Sequence, residues 1–184
     1  MSPDLIETLH STFGFSAFRG VQDRVVARVM AGQSTLAVMP TGAGKSLTYQ
    51  LPAVVLPGTC VVVSPLIALM HDQLRAAAAN GIRAASLTSV DTDREQTIER
   101  FRAGELDLLY VAPERASQGH FRELLGSAPV SLFAIDEAHC VSEWGHDFRP
   151  DYRLLRPLMD AFPAVPRLAL TATADAQTRA DVLA

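Results

Sequence analysis

Apolar residues are grouped along this chain in short, uninterrupted runs, and the grouping predicts buried strands. Six runs of strand length occur, at residues 35–39, 60–64, 83–87, 106–111, 131–135 and 167–170. Because these runs do not alternate with polar residues, they indicate strands that are covered on both faces, as is typical of parallel sheets.

The segments between the runs show helical patterns. Two groups of apolar residues fall at helical spacing, namely Val21, Val25, Val26 and Val29, and then Leu66, Leu69, Met70 and Leu74. Asp91 is predicted to cap a further helix that runs to Arg102 and is stopped by Gly104. Strands that alternate with helices predict one α/β domain over residues 1–184, with a mostly parallel sheet and helices on both faces.

Polar or small residues follow five of the predicted strands directly. These clusters are residues 40–45, 64–65, 112–114, 136–137 and 171–173. Ligands of open α/β sheets bind at the carboxyl ends of the strands. The five clusters are therefore expected to share one edge of the sheet, and this edge is where we expect the chemistry.

Composition narrows the classes of protein. The chain has 184 residues, of which 48% are hydrophobic, enough for one core. The two cysteines, Cys60 and Cys140, show no spacing typical of zinc sites or disulfides. No apolar run approaches the length of a membrane span and no signal segment is evident, so we expect a cytoplasmic protein with no membrane partner. The net charge of −4 argues against coating nucleic acid by bulk charge, so any nucleic-acid binding must use a local groove.

Residues 39–46 read Met-Pro-Thr-Gly-Ala-Gly-Lys-Ser, which predicts a nucleotide cradle. Glycine permits the conformations and the close approach by which backbone N–H groups surround phosphate oxygens. Lys45 would place its ammonium between the β- and γ-phosphates, and the Ser46 hydroxyl would bind Mg²⁺. The usual pattern has a glycine where this chain has Met39, and the alternative is a glycine-rich turn before a helix. The remaining cradle residues are Thr41, Gly42, Ala43 and Gly44.

Two adjacent carboxylates follow the fifth predicted strand. Asp136 would hold magnesium, and Glu137 would orient or deprotonate the attacking water. Alone, such a pair is more often a solvated loop or a helix cap, and its combination with the glycine-rich loop favours catalysis. We therefore expect an ATPase with ATP and Mg²⁺ as cofactors and with Lys45, Asp136 and Glu137 as catalytic residues.

Six segments, in order along the chain, resemble the motifs of the RecQ-family DNA helicases of superfamily two. They are Phe18-Arg19-x-x-Gln22, TGAGKS, SPLIALMHDQ, YVAPER, DEAHCVSEWGHDFRPDYR and LALTATA. The resemblance spans residues 13–173, and residues 140–152 are its most specific part because DEAH alone also suits RNA helicases. Superfamily members commonly lack the first glycine of the loop, which accounts for Met39.

The resemblance implies an adenine site near the N-terminus. Gln22 would read the adenine edge, and Phe15 and Arg19 would stack on the two faces of the ring. An amide offers both a donor and an acceptor, and aromatic and guanidinium planes stack on a base. The alternative from the residues alone is that Phe13, Phe15 and Phe18 are core packing for the first helix.

The resemblance also implies an aromatic-rich loop that couples binding of single-stranded DNA to hydrolysis. Bases stack on aromatic side chains with little regard for sequence. The residues of this loop are Trp144, His146, Asp147, Phe148 and Arg149. The alternatives are that Trp144 is core under a long loop and that Arg149 pairs with Asp147 or Asp151.

Further contacts with the DNA strand follow from the same resemblance. Ser64, Gln73 and the segment Pro113-Glu114-Arg115 would contact the strand backbone, whereas His71 stands where the family often has a lysine. His139 would act as a relay. Thr171 and Thr173 would link the ATP state to DNA contact, with helix capping as their alternative.

By resemblance, residues 1–184 would be the first RecA-like motor lobe of an ATP-dependent 3′-to-5′ DNA helicase of repair and recombination, associated with the nucleoid in a bacterium. Its partners would be single-stranded DNA, forked duplex DNA and the second RecA-like lobe of the same full-length protein, which supplies an arginine to the γ-phosphate. We expect the chain to end just after the TATA motif, without that lobe. It would then bind Mg-ATP, hydrolyse it poorly and not unwind DNA. The alternatives are a DEAH- or DEAD-type RNA helicase lobe, and a non-catalytic nucleotide- or DNA-binding module.

Overall fold

The computed structural model describes residues 3–40, 44–88, 91–141, 149–172, 180 and 182–183. Its strands are β1 Thr35–Val38, β2 Thr59–Val63, β3 Ala84–Leu87, β4 Leu108–Val111, β5 Val130–Ile135 and β6 Arg167–Thr171. Its helices are α1 Pro3–Ser11, α2 Gln22–Met30, α3 Leu47–Val55, α4 Ile67–Ala79, α5 Arg94–Arg102, α6 Pro113–Ala116, α7 Gly119–Leu125, α8 Pro150–Arg153 and α9 Leu155–Asp160, with a 3₁₀ helix at Ala138–Val141.

The six strands form one parallel sheet in the order β1-β6-β5-β2-β4-β3. All six predicted strands are present, and the predicted α/β fold is confirmed. The order brings the first strand beside the last, with Thr35 opposite Leu168. The observed strand ends differ from the apolar runs by one or two residues, because some apolar residues lie in the connections.

Side chains from both faces of the sheet are buried, as the unbroken apolar runs require. In β2, Val62 packs with residues of α2, α3 and α4, whereas its neighbours Val61 and Val63 pack with residues of α5 to α9. Successive side chains of a strand point to opposite faces, so both faces are covered. Helix α1 forms an outer cluster through Leu5 and Leu9, which pack with residues of α2 and α3.

The two predicted helical faces differ in outcome. In α2 the predicted valines are buried, apart from the half-buried Val21, which precedes the helix. In α4 the prediction is partly wrong, because Leu69 is 52% exposed and Leu66 is 36% exposed. The stripe that faces the core is instead Met70, Leu74 and Ala77, at i, i+4 and i+7. Leu69 lies one residue, about 100°, around the helix from that stripe.

Asp91 does not cap α5, so that prediction is wrong. The residue at the N-cap position is Asp93, which makes no side-chain capping hydrogen bond. The Asp91 carboxylate instead accepts hydrogen bonds from the Ser86 hydroxyl, at 2.9 Å, and from the Thr88 backbone N–H, at 2.8 Å. The predicted end of α5 is confirmed, since the helix ends at Arg102 and Gly104 follows with φ of +72°.

Within the described ranges, no helix is long and apolar enough to cross a membrane.

Candidate active site

Three neighbouring strands bring the predicted catalytic residues together. β1, β6 and β5 are adjacent in the sheet, and Lys45, Thr171 and Asp136 follow or end these strands at their carboxyl ends. Lys45 and Asp136 are 91 positions apart in the sequence, yet the Lys45 Nζ lies 3.6 Å from Asp136 Oδ1. These residues therefore share the carboxyl edge of the sheet, as expected from the sequence.

Lys45 lies between two carboxylates. Its Nζ is 3.6 Å from Asp136 Oδ1 and 3.9 Å from Glu137 Oε1. All three side chains are mostly buried, with 18%, 15% and 25% exposed. In this low-dielectric setting, the ammonium offsets the mutual repulsion of two neighbouring carboxylates. An anionic ligand that brings its own cation could therefore bind the Lys45 ammonium, because the second cation would then neutralise the carboxylates.

Local backbone geometry directs the two carboxylates. Glu137 has a φ of +54°, a left-handed conformation that costs a non-glycine residue about 1–2 kcal/mol. Its backbone N–H donates to Asp136 Oδ1 at 2.9 Å. A strained non-glycine residue at the end of a central strand is typical of functional positions.

Tyr152 holds the Asp136 backbone in place, a role that the apolar pattern of the chain does not indicate. Its hydroxyl donates to the Asp136 carbonyl oxygen at 2.8 Å, and the Asp136 N–H donates to the Val63 carbonyl oxygen at 2.9 Å. Burial raises the pKa of the Tyr152 hydroxyl, so it remains a donor at neutral and moderately alkaline pH. Its position at the end of the DEAH-containing segment was the only available hint.

His139 joins the ends of β5 and β6. Its Nδ1 lies 3.0 Å from the Thr171 hydroxyl, and its Nε2 lies 3.5 Å from Glu137 Oε2. Thr171 is fully buried and closes strand β6. The ring therefore connects the predicted water-activating carboxylate with the strand that leads to the TATA segment.

Gln22 ties the start of α2 to the glycine-rich loop. Its side-chain Oε1 accepts the Arg19 N–H at 2.8 Å, and its Nε2 donates to the Gly44 carbonyl oxygen at 3.1 Å. The Gln22 side chain is almost fully buried. Beside it is a shallow pocket, lined by Arg19, Gly20, Val21, Val38, Met39 and Pro40.

The three N-terminal phenylalanines have different environments. Phe13 and Phe18 are half-buried and pack against the core clusters, as the packing alternative requires. Phe15 is 46% exposed and is therefore not a core residue. Among the three, Phe15 is thus the side chain whose ring is available for stacking.

A family model for DEAD/DEAH box helicases matches residues 19–182 of this chain. The chain belongs to the DEAD/DEAH box helicases. The resemblance to the RecQ helicases within this class is also confirmed by curated relatives. One is the ATP-dependent DNA helicase RecQ of Pasteurella multocida, 47% identical over 180 residues, which cover 97% of this chain and 28% of that protein.

Other relatives extend the same picture. The probable ATP-dependent DNA helicase RecS of Bacillus subtilis is 45% identical over 97% of this chain and 36% of that protein. The ATP-dependent helicase SGS1 of Saccharomyces cerevisiae is 42% identical over 99% of this chain and 13% of that protein. The chain therefore spans about a third or less of the length of these relatives.

Solved structures agree on the fold. A hypothetical ATP-dependent RNA helicase from Sulfolobus tokodaii has a TM-score of 0.71 at 21% identity, covering 99% of this chain and 54% of that one. The Mycobacterium smegmatis helicase Lhr bound to ssDNA and AMP-PNP has a TM-score of 0.69 at 23% identity, covering 93% and 24%. At these identities the likeness shows a shared helicase fold.

Several predicted site residues of this DEAD/DEAH helicase domain lie outside the described residues. They are Thr41, Gly42 and Ala43 of the cradle, Trp144, His146, Asp147 and Phe148 of the aromatic-rich loop, and Thr173. Arg149 is described and exposed, and its backbone N–H donates to the Cys140 carbonyl oxygen at 2.9 Å. Its assignment to DNA or to a neighbouring aspartate stays a prediction.

The residues predicted to contact DNA follow β2 or lie in α4, the helix after it. Ser64 follows β2 and is buried, and its hydroxyl accepts the Leu66 N–H at 3.4 Å. Gln73 lies in α4, and its Oε1 accepts a hydrogen bond from the Tyr49 hydroxyl at 2.9 Å. His71 lies in the same helix, 3.7 Å from the Asp91 carboxylate. The contact of these residues with a DNA strand stays a prediction.

The Gly44→Ala variant is expected to weaken ATP binding about fivefold or more, because it breaks the partly buried hydrogen bond between the Gln22 amide and the Gly44 carbonyl oxygen. Gly44 has a φ of +74°, and an added Cβ would overlap the Gln22 amide nitrogen. Gly14→Ala is the matched control, because Gly14 has the same φ and nothing within 4 Å of its Cβ position. The left-handed backbone should lower the free energy of unfolding of both variants by about 1–2 kcal/mol. Titration with a fluorescent ATP analogue should separate them, and equal affinities would contradict the role given to Gln22 and Gly44.

Proposed function

We propose that this chain is the ATP-binding motor lobe of a RecQ-type DNA helicase. In the full-length protein it would couple ATP hydrolysis to 3′-to-5′ movement along single-stranded DNA and to duplex unwinding. The observation that carries the proposal is the placement of Lys45 between Asp136 and Glu137 at the carboxyl edge of the sheet. This constellation matches the needs of phosphoryl transfer, which are positioning and neutralisation of charge.

The nucleotide would lie over the first turn of α3. Lys45 and Ser46 immediately precede this helix, whose N-terminal N–H groups and dipole favour an anion. Lys45 would exchange its carboxylate partners for the β- and γ-phosphates. Gln22, Arg19 and Phe15 would hold the adenine, and the nearby pocket beside Arg19 supports that placement.

The oxygen groups present suit Mg²⁺. This ion prefers hard oxygen ligands and usually binds one or two protein groups together with phosphates and waters. The Ser46 hydroxyl and the Asp136 carboxylate provide such a set. When bound, Mg²⁺ would neutralise charge on the phosphate oxygens.

Glu137 would accept the proton of the attacking water and orient that water. Its Oε1 faces Lys45 and its Oε2 faces His139, so its charge is held from two sides. A change in the Glu137 carboxylate during hydrolysis would alter its contact with His139. His139 contacts Thr171, so the change would reach the end of β6 and the segment after it. This path would relay the ATP state to the DNA strand.

The proposed nucleic-acid partner is single-stranded DNA, including the strands of a fork. Relatives named DNA helicases at 45–47% identity favour DNA over RNA. With a net charge of −4, the chain would bind DNA through local contacts at Ser64, Gln73, Arg115 and the aromatic-rich loop. A second RecA-like lobe of the full-length protein would supply the arginine for the γ-phosphate. A role in repair and recombination, at the nucleoid in a bacterium, follows from this assignment.

The test is to measure Mg-ATP binding, ATP hydrolysis and strand binding by the 184-residue chain. We expect the chain to bind ATP, to hydrolyse it slowly and to bind labelled single-stranded DNA. Unlabelled DNA should displace the labelled DNA at a lower concentration than RNA of the same sequence. Hydrolysis should be about 10³–10⁵-fold slower than in a complete helicase, because the arginine from the second lobe is missing. Stronger competition by RNA would favour an RNA helicase lobe. Absence of ATP binding would favour a non-catalytic module.

A further inference from the structure

A chain of hydrogen bonds, buried at Tyr110 and partly buried at Gln73, connects helix α3, which follows the nucleotide loop, with helix α4. The Tyr49 hydroxyl donates to Gln73 Oε1 at 2.9 Å. The Tyr49 and Tyr110 hydroxyl oxygens are 3.1 Å apart, and Gln50 Nε2 donates to the Tyr110 hydroxyl at 3.3 Å. Tyr49 and Tyr110 are almost completely buried, and their rings meet edge to face with centroids 6.3 Å apart. This polar chain therefore crosses an otherwise apolar face of the sheet.

Which group donates and which accepts along these hydrogen bonds follows from the contact of Tyr49 with Gln73 Oε1 and from the number of hydroxyl protons. Each tyrosine hydroxyl has one hydrogen to donate. Because Tyr49 gives its hydrogen to Gln73, the Tyr110 hydroxyl must donate to the Tyr49 oxygen, and Tyr110 in turn accepts from Gln50. Burial raises the pKa of Tyr110 to about 12 and raises that of Tyr49 well above its usual value. Both hydroxyls therefore keep their protons near neutral pH and remain hydrogen-bond donors.

The end of the chain sets the orientation of the Gln73 amide. With Oε1 held by the Tyr49 hydroxyl, the Gln73 NH₂ group is directed away from that contact. Gln73 is half-buried. An NH₂ group at the strand-binding edge can donate to a phosphate oxygen, whereas a carbonyl oxygen in the same place would repel it.

We propose that Tyr49 is a positioning residue for DNA binding, whose buried hydroxyl holds the Gln73 amide with its NH₂ group toward a phosphate of single-stranded DNA. This inference rests on the proposed function and adds a residue to it. Tyr49 lies on the first turns of α3, four positions after Lys45. The helix that directly follows the nucleotide cradle would thus carry the group that orients a DNA contact.

The Tyr49→Phe variant tests the proposal, with Tyr110→Phe as its matched control. Each variant removes one buried hydroxyl from the same chain, but the Tyr110 hydroxyl does not contact Gln73. We expect Tyr49→Phe to weaken binding of a labelled single-stranded oligonucleotide about three- to tenfold, the usual effect of one hydrogen bond. Tyr110→Phe should change it less than twofold. Mg-ATP affinity should stay within twofold of the unchanged chain in both variants.

A double-mutant cycle with Gln73→Ala separates positioning from general loss of structure. If Tyr49 acts through Gln73, Tyr49→Phe should have no further effect on DNA affinity once Gln73 is alanine. Equal effects of Tyr49→Phe in both backgrounds, or equal effects of Tyr49→Phe and Tyr110→Phe, would overturn the proposal. If the unchanged chain binds no DNA, the proposed function fails and this inference fails with it. If the unchanged chain binds DNA and Tyr49→Phe does not change the affinity for DNA, only this inference fails.

Discussion

Replacement of Glu137 by glutamine is expected to slow ATP hydrolysis about 10²–10⁴-fold, the usual contribution of a general base. The amide keeps the size of the side chain and can still contact His139, but it cannot accept a proton from water. Mg-ATP affinity should change only a few-fold, because Lys45 and the loop provide most of the phosphate contact. Single-turnover release of labelled phosphate, with the chain in excess over ATP, measures the rate even when it is low.

Glu105→Gln is the matched control for this experiment. Glu105 is an exposed carboxylate in the connection between α5 and β4, at the amino end of the sheet, so the same chemical change occurs away from the site. Its rate should equal that of the unchanged chain. An unchanged rate in Glu137→Gln would remove Glu137 from the catalytic role. A loss of ATP affinity as large as the loss of rate would make Glu137 a binding residue instead.

Replacement of Lys45 by alanine is expected to raise the dissociation constant for Mg-ATP about 10–100-fold, as for loss of a hydrogen bond between charged groups. The change also leaves Asp136 and Glu137 without the cation that separates them, so an incoming polyphosphate would meet two unbalanced negative charges. Calorimetric titration in the presence of magnesium measures the effect. Lys45→Arg keeps the charge but not the compact ammonium. Its dissociation constant for Mg-ATP should fall between those of the unchanged chain and of Lys45→Ala.

Lys45 is the only lysine in the sequence, which supplies an independent measurement. An amine-reactive ATP analogue that transfers an acyl group should modify Lys45, and excess ATP should protect it. Mass spectrometry would distinguish this product from reaction at the N-terminal amine. Labelling confined to the N-terminus, or labelling of Lys45 without protection by ATP, would contradict a nucleotide site at this loop.

The fold was predictable because its signals are local. Each strand lies within a mostly apolar run, and parallel order requires that the carboxyl ends of the strands share one edge. This is why Lys45, Asp136 and Thr171 could be assigned to one site from residues far apart in the sequence. The distances among them, and the left-handed Glu137 that directs one carboxylate, depend on tertiary packing and were not predictable.

Polar partners inside the fold were the main feature that the sequence did not reveal. Tyr49 reads as an apolar helical residue, yet its hydroxyl contacts groups 24 and 61 positions away. Asp91 reads as a helix cap, but Ser86 and Thr88 from the end of β3 compete successfully for its carboxylate. Periodicity reports which face of an element is apolar, not which distant group covers it. Leu69 shows the same limit, since its helix faces the core through a narrower stripe than the leucine pattern indicates.

The pairing of the first strand with the last affects how the domain is made on the ribosome. β1 forms its ladder with β6, and Arg167 donates its backbone N–H to the Ser34 hydroxyl across a separation of 133 residues. At about 5–20 residues per second, synthesis of that interval takes roughly 7–27 seconds. Throughout it, β1 lacks this neighbour, and the loop that carries Lys45 lacks the strand beside it. The nucleotide site is thus among the last parts of this domain to form in the nascent chain.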